Sequence, residues 1–286
     1  MTFELVFLNT ADPSLGRVDR ASLPQQALME MVIEGIANKE KICGDADEPK
    51  DIEEWKGLKI EDGEVVEIDW QRFKVKWSLH LEWLPSSVKE FDATGNDITG
   101  TLDLEALPTA MGQLNLGFNA FTGSIGLEGL SEGIEHLAVF HNKLNGSLKL
   151  ESLPDTLTEF NAWGNQFSGS VDLTQLPAAT KYIGLQKNKL SGSVVLTQLP
   201  GSLEYLLLSK NQLTGCLDLT RLPPHMKRLD LANNSFSGTV DLSHLPHSLV
   251  LLNLQYNGFS GEVFVSAEPC PCVYVRNTKI IKRPAK

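Results

Sequence analysis

One stretch of the chain decides its fold: Leu199-Pro200-Gly201-Ser202-Leu203-Glu204-Tyr205-Leu206-Leu207-Leu208-Ser209-Lys210-Asn211-Gln212-Leu213-Thr214-Gly215. The same pattern of leucine, asparagine and glycine recurs from Leu84 to Ala267 without an insertion or deletion. The first leucines of the units lie 23 residues apart, at Leu84, Leu107, Leu130, Leu153, Leu176, Leu199, Leu222 and Leu245. A repeat of this length predicts a solenoid, in which each unit buries its apolar side only against its neighbours.

Alternating apolar residues within each unit predict strands. Leu206 and Leu208 are apolar at alternate positions, and equivalent residues occur in every unit, so each unit contributes a strand with one buried face. The constant register predicts a parallel sheet. A second alternating stretch follows each glycine, as in Cys216-Leu217-Asp218-Leu219, and we expect it to form a short lateral or convex strand. Prolines such as Pro200 preclude a regular helix before the next unit.

One asparagine and one glycine occur in every unit. The asparagine side chain carries both a donor and an acceptor, so it can satisfy backbone groups at a buried bend. The glycine indicates a positive φ angle or close backbone packing. The predicted structural asparagine ladder comprises Asn96, Asn119, Asn142, Asn165, Asn188, Asn211, Asn234 and Asn257.

These motifs resemble the leucine-rich repeat family. The segment Leu203-Glu204-Tyr205-Leu206-Leu207-Leu208-Ser209-Lys210-Asn211 is similar to the family's core, and Phe236-Ser237-Gly238-Thr239-Val240-Asp241-Leu242 resembles the plant-type subclass. The shorter period looks most like the repeats of protist proteins. The resemblance implies an α/β-type solenoid, mostly β, with a right-handed superhelix, a parallel concave sheet and a helical N-terminal cap. It also implies partner binding, with a partner that varies among members.

Residues 1–83 are predicted to form the N-terminal cap. Phe3–Leu8 is expected to be a strand, and Ser22-Leu23-Pro24-Gln25 has the spacing of a helix capping box. The apolar stripe of that helix comprises Ala27, Leu28, Met31, Val32 and Ile36. The turn at Trp55-Lys56-Gly57-Leu58 resembles the plant-type cap, and residues 61–83 form one degenerate repeat. Cys43 stands alone, whereas that cap family has paired cysteines.

The eight repeats span residues 84–267, and residues 268–286 are predicted to form a C-terminal cap. Cys272-Val273-Tyr274-Val275-Arg276 resembles a truncated last strand. The basic residues that follow are expected to form a frayed tail: Lys279, Lys282, Arg283 and Lys286.

Charge and cysteine content limit the partners and the location. The net charge is −11, half of the 36 acidic residues precede Leu84, and the chain has no basic stripe, so nucleic acid is an unsuitable partner. No apolar run is long enough to span a membrane. The N-terminus is a poor signal peptide and only four cysteines are present, which favours the cytoplasm. An extracellular location is the alternative if a signal peptide has been removed.

No motif in the chain predicts an enzyme, a cofactor or a metal site. The six histidines are scattered, and two of them without a third ligand are weak evidence for a metal. Cys270-Pro271-Cys272 could be redox-active or bind zinc, but a structural or incidental role is the preferred interpretation.

The solvent-facing positions of the concave strands are the candidate site. Aromatic residues are enriched in binding hot spots, and here they lie on neighbouring units. The predicted protein-binding residues are His136, Phe140, Trp163, Tyr182, Tyr205 and Arg228. The sequence therefore predicts a non-enzymatic module, monomeric on its own, that binds a protein or peptide. The alternatives are a permanent structural subunit of a larger assembly and an extracellular receptor or adhesion domain.

Overall fold

The computed structural model describes residues 20–265 and 272–284. Eleven strands of this part of the chain form one sheet, here called the long sheet: Leu58–Glu61, Glu64–Asp69, Glu90–Asp92, Gln113–Asn115, His136–Ala138, Glu159–Asn161, Tyr182–Gly184, Tyr205–Leu207, Arg228–Asp230, Leu251–Asn253 and Cys272–Tyr274. The first pair is antiparallel and the others are parallel. Phe160 pairs with Ile183, its equivalent in the next repeat. The predicted parallel solenoid is confirmed.

Shorter strands form a second ladder. It begins with two pairs, Lys76–Ser78 with Asp97–Thr99 and Thr122–Gly123 with Lys143–Leu144. A six-stranded sheet continues it among the described residues: Ser168–Gly169, Lys189–Gly192, Gln212–Gly215, Ser235–Thr239, Gly258–Val265 and Lys279–Pro284.

The predicted position of these short strands was wrong. They were expected after each glycine, but most lie on the segment that leads from the asparagine to the glycine. Backbone hydrogen bonds to the preceding coil explain this position, as where the Lys189 N–H donates to the Phe167 carbonyl at 2.8 Å. After the glycine, the Asp172 carboxylate instead accepts from the backbone N–H and the hydroxyl of Thr174, at 2.8 and 2.7 Å, and turns the chain.

The inward columns form one continuous apolar core that includes the cap. Phe91, Phe160 and Phe236 are among its fully buried side chains. Helices are few in the described chain: the α-helices Gln25–Ile33 and Glu40–Cys43, and the 3-10 helices Arg20–Ser22, Ile52–Glu54, Leu81–Trp83, Leu127–Gly129 and Leu150–Ser152.

The cap helix starts later than the capping box predicts. Pro24 occupies the N-cap position, and its side chain has no polar atom that could form a cap hydrogen bond. Ser22, the predicted cap residue, belongs to the preceding 3-10 turn. The buried residues of the helix are Leu28, Met29, Val32 and Ile33. The predicted stripe is therefore right at two positions, while Met31 and Ala27 are half-buried and Ile36 is buried beyond the helix end.

The degenerate first unit joins the cap to the repeats. Its strand Glu64–Asp69 pairs with Glu90–Asp92 in the register of the later repeats. The indole N–H of Trp70, a buried residue, donates to the Lys56 carbonyl at 3.1 Å. Gly57 has a φ of 78°, and a Cβ atom on it would clash with the Asp69 carbonyl, so the turn requires glycine.

The C-terminal end differs from the prediction in one respect. Cys272–Tyr274 pairs with Leu251–Asn253, as expected of a last strand. The predicted frayed tail, however, is a strand at Lys279–Pro284 that pairs with Gly258–Val265, and Arg283 forms an ion pair with Glu262 at 2.8 Å. Backbone hydrogen bonds to the neighbouring strand therefore order this segment, although its basic residues led us to expect a frayed tail. The predicted strand Phe3–Leu8, Cys270 and Lys286 lie outside the described residues.

Candidate functional site

Asparagine side chains fix the bend after eight of the eleven strands of the long sheet, from Glu90–Asp92 to Leu251–Asn253. Asn165 Oδ1 accepts from the Leu144 N–H at 3.0 Å, and its Nδ2 donates to the carbonyls of Val139 and Ala162 at 2.9 and 3.2 Å. Leu144 and Val139 belong to the preceding coil, so each amide joins two coils. The equivalent backbone N–H contacts are made by Asn96, Asn119, Asn142, Asn188, Asn211, Asn234 and Asn257.

The residue before each ladder asparagine has a left-handed backbone. Gly95 and Gly164 occupy this position in two repeats, but Phe118 and His141 occupy it in others with φ angles of 51° and 54°. A bulky residue in this conformation is uncommon. The bend places these two side chains beside the strand-end residues Phe140 and Trp163.

Four rings meet there and form the aromatic patch, defined as Phe118, Phe140, His141 and Trp163. Phe140 and Trp163 stack with centroids 5.7 Å apart and an interplanar angle of 8°. Phe118 contacts Phe140 edge to face at 5.3 Å and stacks on His141 at 4.6 Å. His141 meets Trp163 at 5.3 Å. The rings are thus held against one another before any partner binds.

Two further residues, Lys187 and Gly117, support the rings of the aromatic patch. The Lys187 ammonium lies 5.1 Å from the Trp163 ring centroid, a favourable cation–π contact. A Cβ atom on Gly117 would clash with the Phe140 ring, so this glycine leaves room for it. The patch remains accessible, because Phe118 is 44% exposed while Phe140 and Trp163 are half-buried. Phe118, His141 and Lys187 were not among the predicted binding residues, although all three occupy the position before a ladder asparagine, which would have indicated them.

Tyr182 and Tyr205 form a separate pair on adjacent strands, with ring centroids 6.0 Å apart. The Tyr182 hydroxyl lies over Gly184, where a Cβ atom would be 2.9 Å from it, and burial raises the pKa of Tyr182. The Lys227 ammonium lies 5.8 Å from the Tyr205 ring centroid. None of the ring contacts described for residues 20–265 and 272–284 joins this pair to the aromatic patch, so the predicted residues form two groups.

The remaining predicted residues lie away from the aromatic patch. Arg228 is exposed and its guanidinium lies 3.4 Å from the Asp230 carboxylate, which is mostly buried. His136 lies 3.6 Å from the Glu159 carboxylate. Five positions that the alternation places toward solvent are buried instead, namely Gly117, Gly184, Leu207, Asp230 and Ala232. The tyrosine pair shows why alternation alone fails, since large side chains can lie across their neighbours.

The first coils of the long sheet carry an acidic depression of about 320 Å³. Five carboxylates contribute to its lining: Glu67, Asp69, Glu90, Asp92 and Glu159. His136 also lines it, and therefore belongs to this acidic end. The exposed face of the long sheet thus changes from acidic in the first coils to aromatic in the middle.

Within residues 20–265 and 272–284, no group of three or more His, Cys, Asp or Glu residues could hold a metal ion. Cys43 and Cys216 are free thiols; Cys43 is fully buried, and burial raises its pKa. No helix in this part of the chain is long and apolar enough to cross a membrane. The structural or incidental role predicted for Cys270 and Cys272 stays a prediction, because Cys270 and the side chain of Cys272 are not among the described parts of the structure.

Solved structures share this fold. The Arabidopsis receptor kinase HAESA, in complex with the peptide hormone IDA and the co-receptor SERK1, is 26% identical over 65% of this chain and 33% of that chain, with a TM-score of 0.55. A TDR receptor is 21% identical over 77% of this chain and 43% of its own, with a TM-score of 0.56. A plant ice-binding protein is 16% identical over 91% and 95% of the two chains, with a TM-score of 0.58.

The chain spans a third to less than half of the two receptor chains that it resembles. No protein-family model matches it, and no curated protein matches it either. The TDR receptor and the ice-binding protein are less than 25% identical to this chain, and their likeness shows a shared fold. The HAESA ectodomain is a leucine-rich repeat ectodomain, so the shared fold is the solenoid of leucine-rich repeat proteins.

Proposed function

We propose that the chain is a non-enzymatic module that binds a segment of a protein or peptide on the exposed face of the long sheet. The observation that carries this proposal is the aromatic patch, which lies outside the inward core columns and yet is packed in advance. Exposed aromatic anchors that are already ordered lose little conformational entropy on binding. Aromatic residues are also the commonest hot spots of interfaces.

The geometry favours a protein partner over a sugar. Carbohydrate recognition by stacking uses an open ring face, but Trp163 already contacts Phe140 and the Lys187 ammonium. Apolar side chains of a peptide can instead pack against the half-exposed ring edges. The tyrosine pair, one and two strands further along the sheet from Trp163, extends the same surface. Arg228 and the acidic depression would then contact polar parts of the segment.

The likeness to HAESA supports the proposal, because that receptor kinase is in complex with a peptide hormone. Its identity of 26% covers 65% of the present chain. The chain would share with it the binding of a peptide or protein, but the proposal specifies neither a hormone nor a co-receptor.

Affinity purification from the native source, with mass spectrometry of the proteins that co-purify, tests the proposal. The Phe140→Ala/Trp163→Ala variant should lose the partner, since removal of a central aromatic anchor costs about 2 kcal/mol or more of affinity. Far-UV circular dichroism should remain that of the wild type, because neither ring is an inward core residue. Asp172→Ala is the control on the opposite side of the repeat and should retain the partner.

Three other outcomes would contradict the proposed interface, the proposed binding module or its non-enzymatic character. Loss of the partner in the Asp172→Ala variant alone would move the interface to the other side of the repeat. A partner that stays bound stoichiometrically in high salt, whichever variant is used, would favour the permanent structural subunit. A measured turnover of a small molecule would contradict the non-enzymatic assignment.

The location belongs to the proposal as well. The sequence favours the cytoplasm, and the fully buried free thiol of Cys43 is suited to a reducing compartment. The likeness to a receptor kinase gives this no support and favours the extracellular alternative. Protease protection of the tagged full-length protein in its native cells distinguishes the two, because an extracellular domain is digested from outside.

A further inference from the structure

Trp77 occupies a position that the other repeats reserve for glycine. In the second ladder it pairs with Ile98, as Gly123 pairs with Leu144 and Gly169 with Leu190. Like those glycines it has a left-handed backbone, with a φ of 83°. The indole points away from the core and is 65% exposed.

Intramolecular packing does not account for a tryptophan at this position. A bulky side chain disfavours the left-handed backbone that glycine adopts without cost. The exposed ring recovers little of this cost through burial, since apolar stabilisation scales with the area removed from water. Strained residues that contribute little to folding are concentrated at binding and active sites.

A rigid frame holds Trp77 in place. It forms an antiparallel bridge with Ile36, and the Ala37 N–H donates to the Lys76 carbonyl at 3.2 Å. The Asn38 side chain donates to the Lys74 carbonyl at 2.8 Å and accepts from the Lys76 N–H at 3.1 Å. The indole therefore projects from backbone that is fixed on both sides.

Three lysines belong to the segments that form this frame. Lys74 and Lys76 are exposed, and the Lys41 ammonium donates to the Lys74 carbonyl at 3.1 Å. None of the three lysines forms an ion pair in the described chain, although Glu40 and Asp97 are nearby in the fold. Beyond Ser78, a hollow lined by Glu82 and Asp103 carries the opposite charge, which confines the basic surface to the cap side of Trp77.

We propose that Trp77, Lys41, Lys74 and Lys76 form a second interaction surface, which binds an acidic segment of a protein partner through the indole and the three ammonium groups. Lys74 and Lys76, which form no ion pair with the residues that the structure describes, provide most of the charge complementarity, because the Lys41 ammonium also donates to the Phe73 and Lys74 carbonyls at 3.3 and 3.1 Å. Tryptophan is among the residues that are enriched in hot spots. An anionic membrane is less suitable, because three lysines and one ring are fewer basic and apolar groups than a membrane-binding cluster carries. This surface is independent of the long-sheet face.

A displayed library of random dodecapeptides tests the proposal with the full-length chain. The target is the Phe140→Ala/Trp163→Ala variant, so that the aromatic patch does not enrich peptides, and no selection against Trp77→Gly is applied. We expect the enriched peptides to combine Asp and Glu with an apolar residue. A synthetic peptide of the enriched sequence should bind Trp77→Gly about 30-fold more weakly than wild type, which is the loss of one hot spot. Lys74→Glu/Lys76→Glu should also reduce binding, and added salt should weaken it.

Thermal unfolding separates binding from folding. Trp77→Gly should have an unchanged or higher midpoint, because glycine tolerates the positive φ, whereas Gly100→Trp at the equivalent position of the next repeat should lower it. A large loss of stability in Trp77→Gly would make the tryptophan structural and overturn the proposal. So would enriched peptides that are neutral or basic, or binding that is insensitive to Trp77. Trp77-dependent sedimentation with phosphatidylserine vesicles, without peptide binding, would assign the surface to a membrane instead.

Discussion

The strongest test of the solenoid's bend is the replacement of Asn165 with leucine. Three hydrogen bonds disappear, but their losses are unequal. The Val139 carbonyl also accepts from Asn142, and the Ala162 carbonyl also accepts from Asn188, so both keep a partner. The Leu144 N–H loses its acceptor within a fully buried residue. One unsatisfied buried donor costs about 1–3 kcal/mol.

Asn161→Leu is the matched control, because Asn161 lies in the same repeat. Its carboxamide oxygen accepts only weakly, from the Trp163 N–H at 3.5 Å, and the residue is half-buried. We expect a change within about 0.5 kcal/mol for this surface substitution.

Urea unfolding of the two variants gives the measurement. With an m value of about 2 kcal/mol/M, a loss of about 2 kcal/mol lowers the midpoint by about 1 M. Tryptophan fluorescence and circular dichroism should be followed together, since repeat proteins can unfold in steps. Equal midpoints for Asn165→Leu and Asn161→Leu would show that the ladder amide does not satisfy a buried backbone donor.

Three further predictions concern other columns of the repeat. Gly238→Ala should lower the free energy of unfolding by about 1–2 kcal/mol in denaturant titrations, because the φ of Gly238 is 84° and a Cβ atom would lie 2.8 Å from Cys216 Sγ. Gly201→Ala is the control and should leave the stability unchanged, because a Cβ atom there would meet open space. Hydrogen bonds from Thr220 lower the pKa of Asp218. The stabilisation of the folded protein by ionised Asp218 is therefore present above the ordinary pKa of Asp and is lost as the pH falls through the lowered pKa. When the free energy of unfolding is measured against pH, Asp218→Asn should flatten its decline at acid pH. Thermal midpoints with and without reductant should coincide, because Cys43 is buried and free; a drop of many degrees on reduction would indicate a disulfide.

The amino-acid pattern is sufficient to predict the solenoid, because burial against neighbouring units forces every repeat to place the same residue types at the same positions. Leu206, Asn211 and Gly215 each repeat an environment eight times, and repetition makes the inward columns readable without a structure. The first unit could also be identified, because Val65, Ile68, Leu79 and Leu81 keep their columns although the asparagine and the glycine of the motif are absent.

Tertiary structure alone decided how the outward side chains group. Alternation assigns a residue to a face but says nothing of the direction in which a ring leans, so Phe118, His141 and Trp163 meet only because a left-handed bend turns two of them toward the strand ends. The second ladder likewise depends on which backbone N–H groups reach the preceding coil, a property that no side-chain pattern records. Tyr182 covers Gly184 for the same reason: contacts between outward residues are set by three-dimensional packing, not by the period of the repeat.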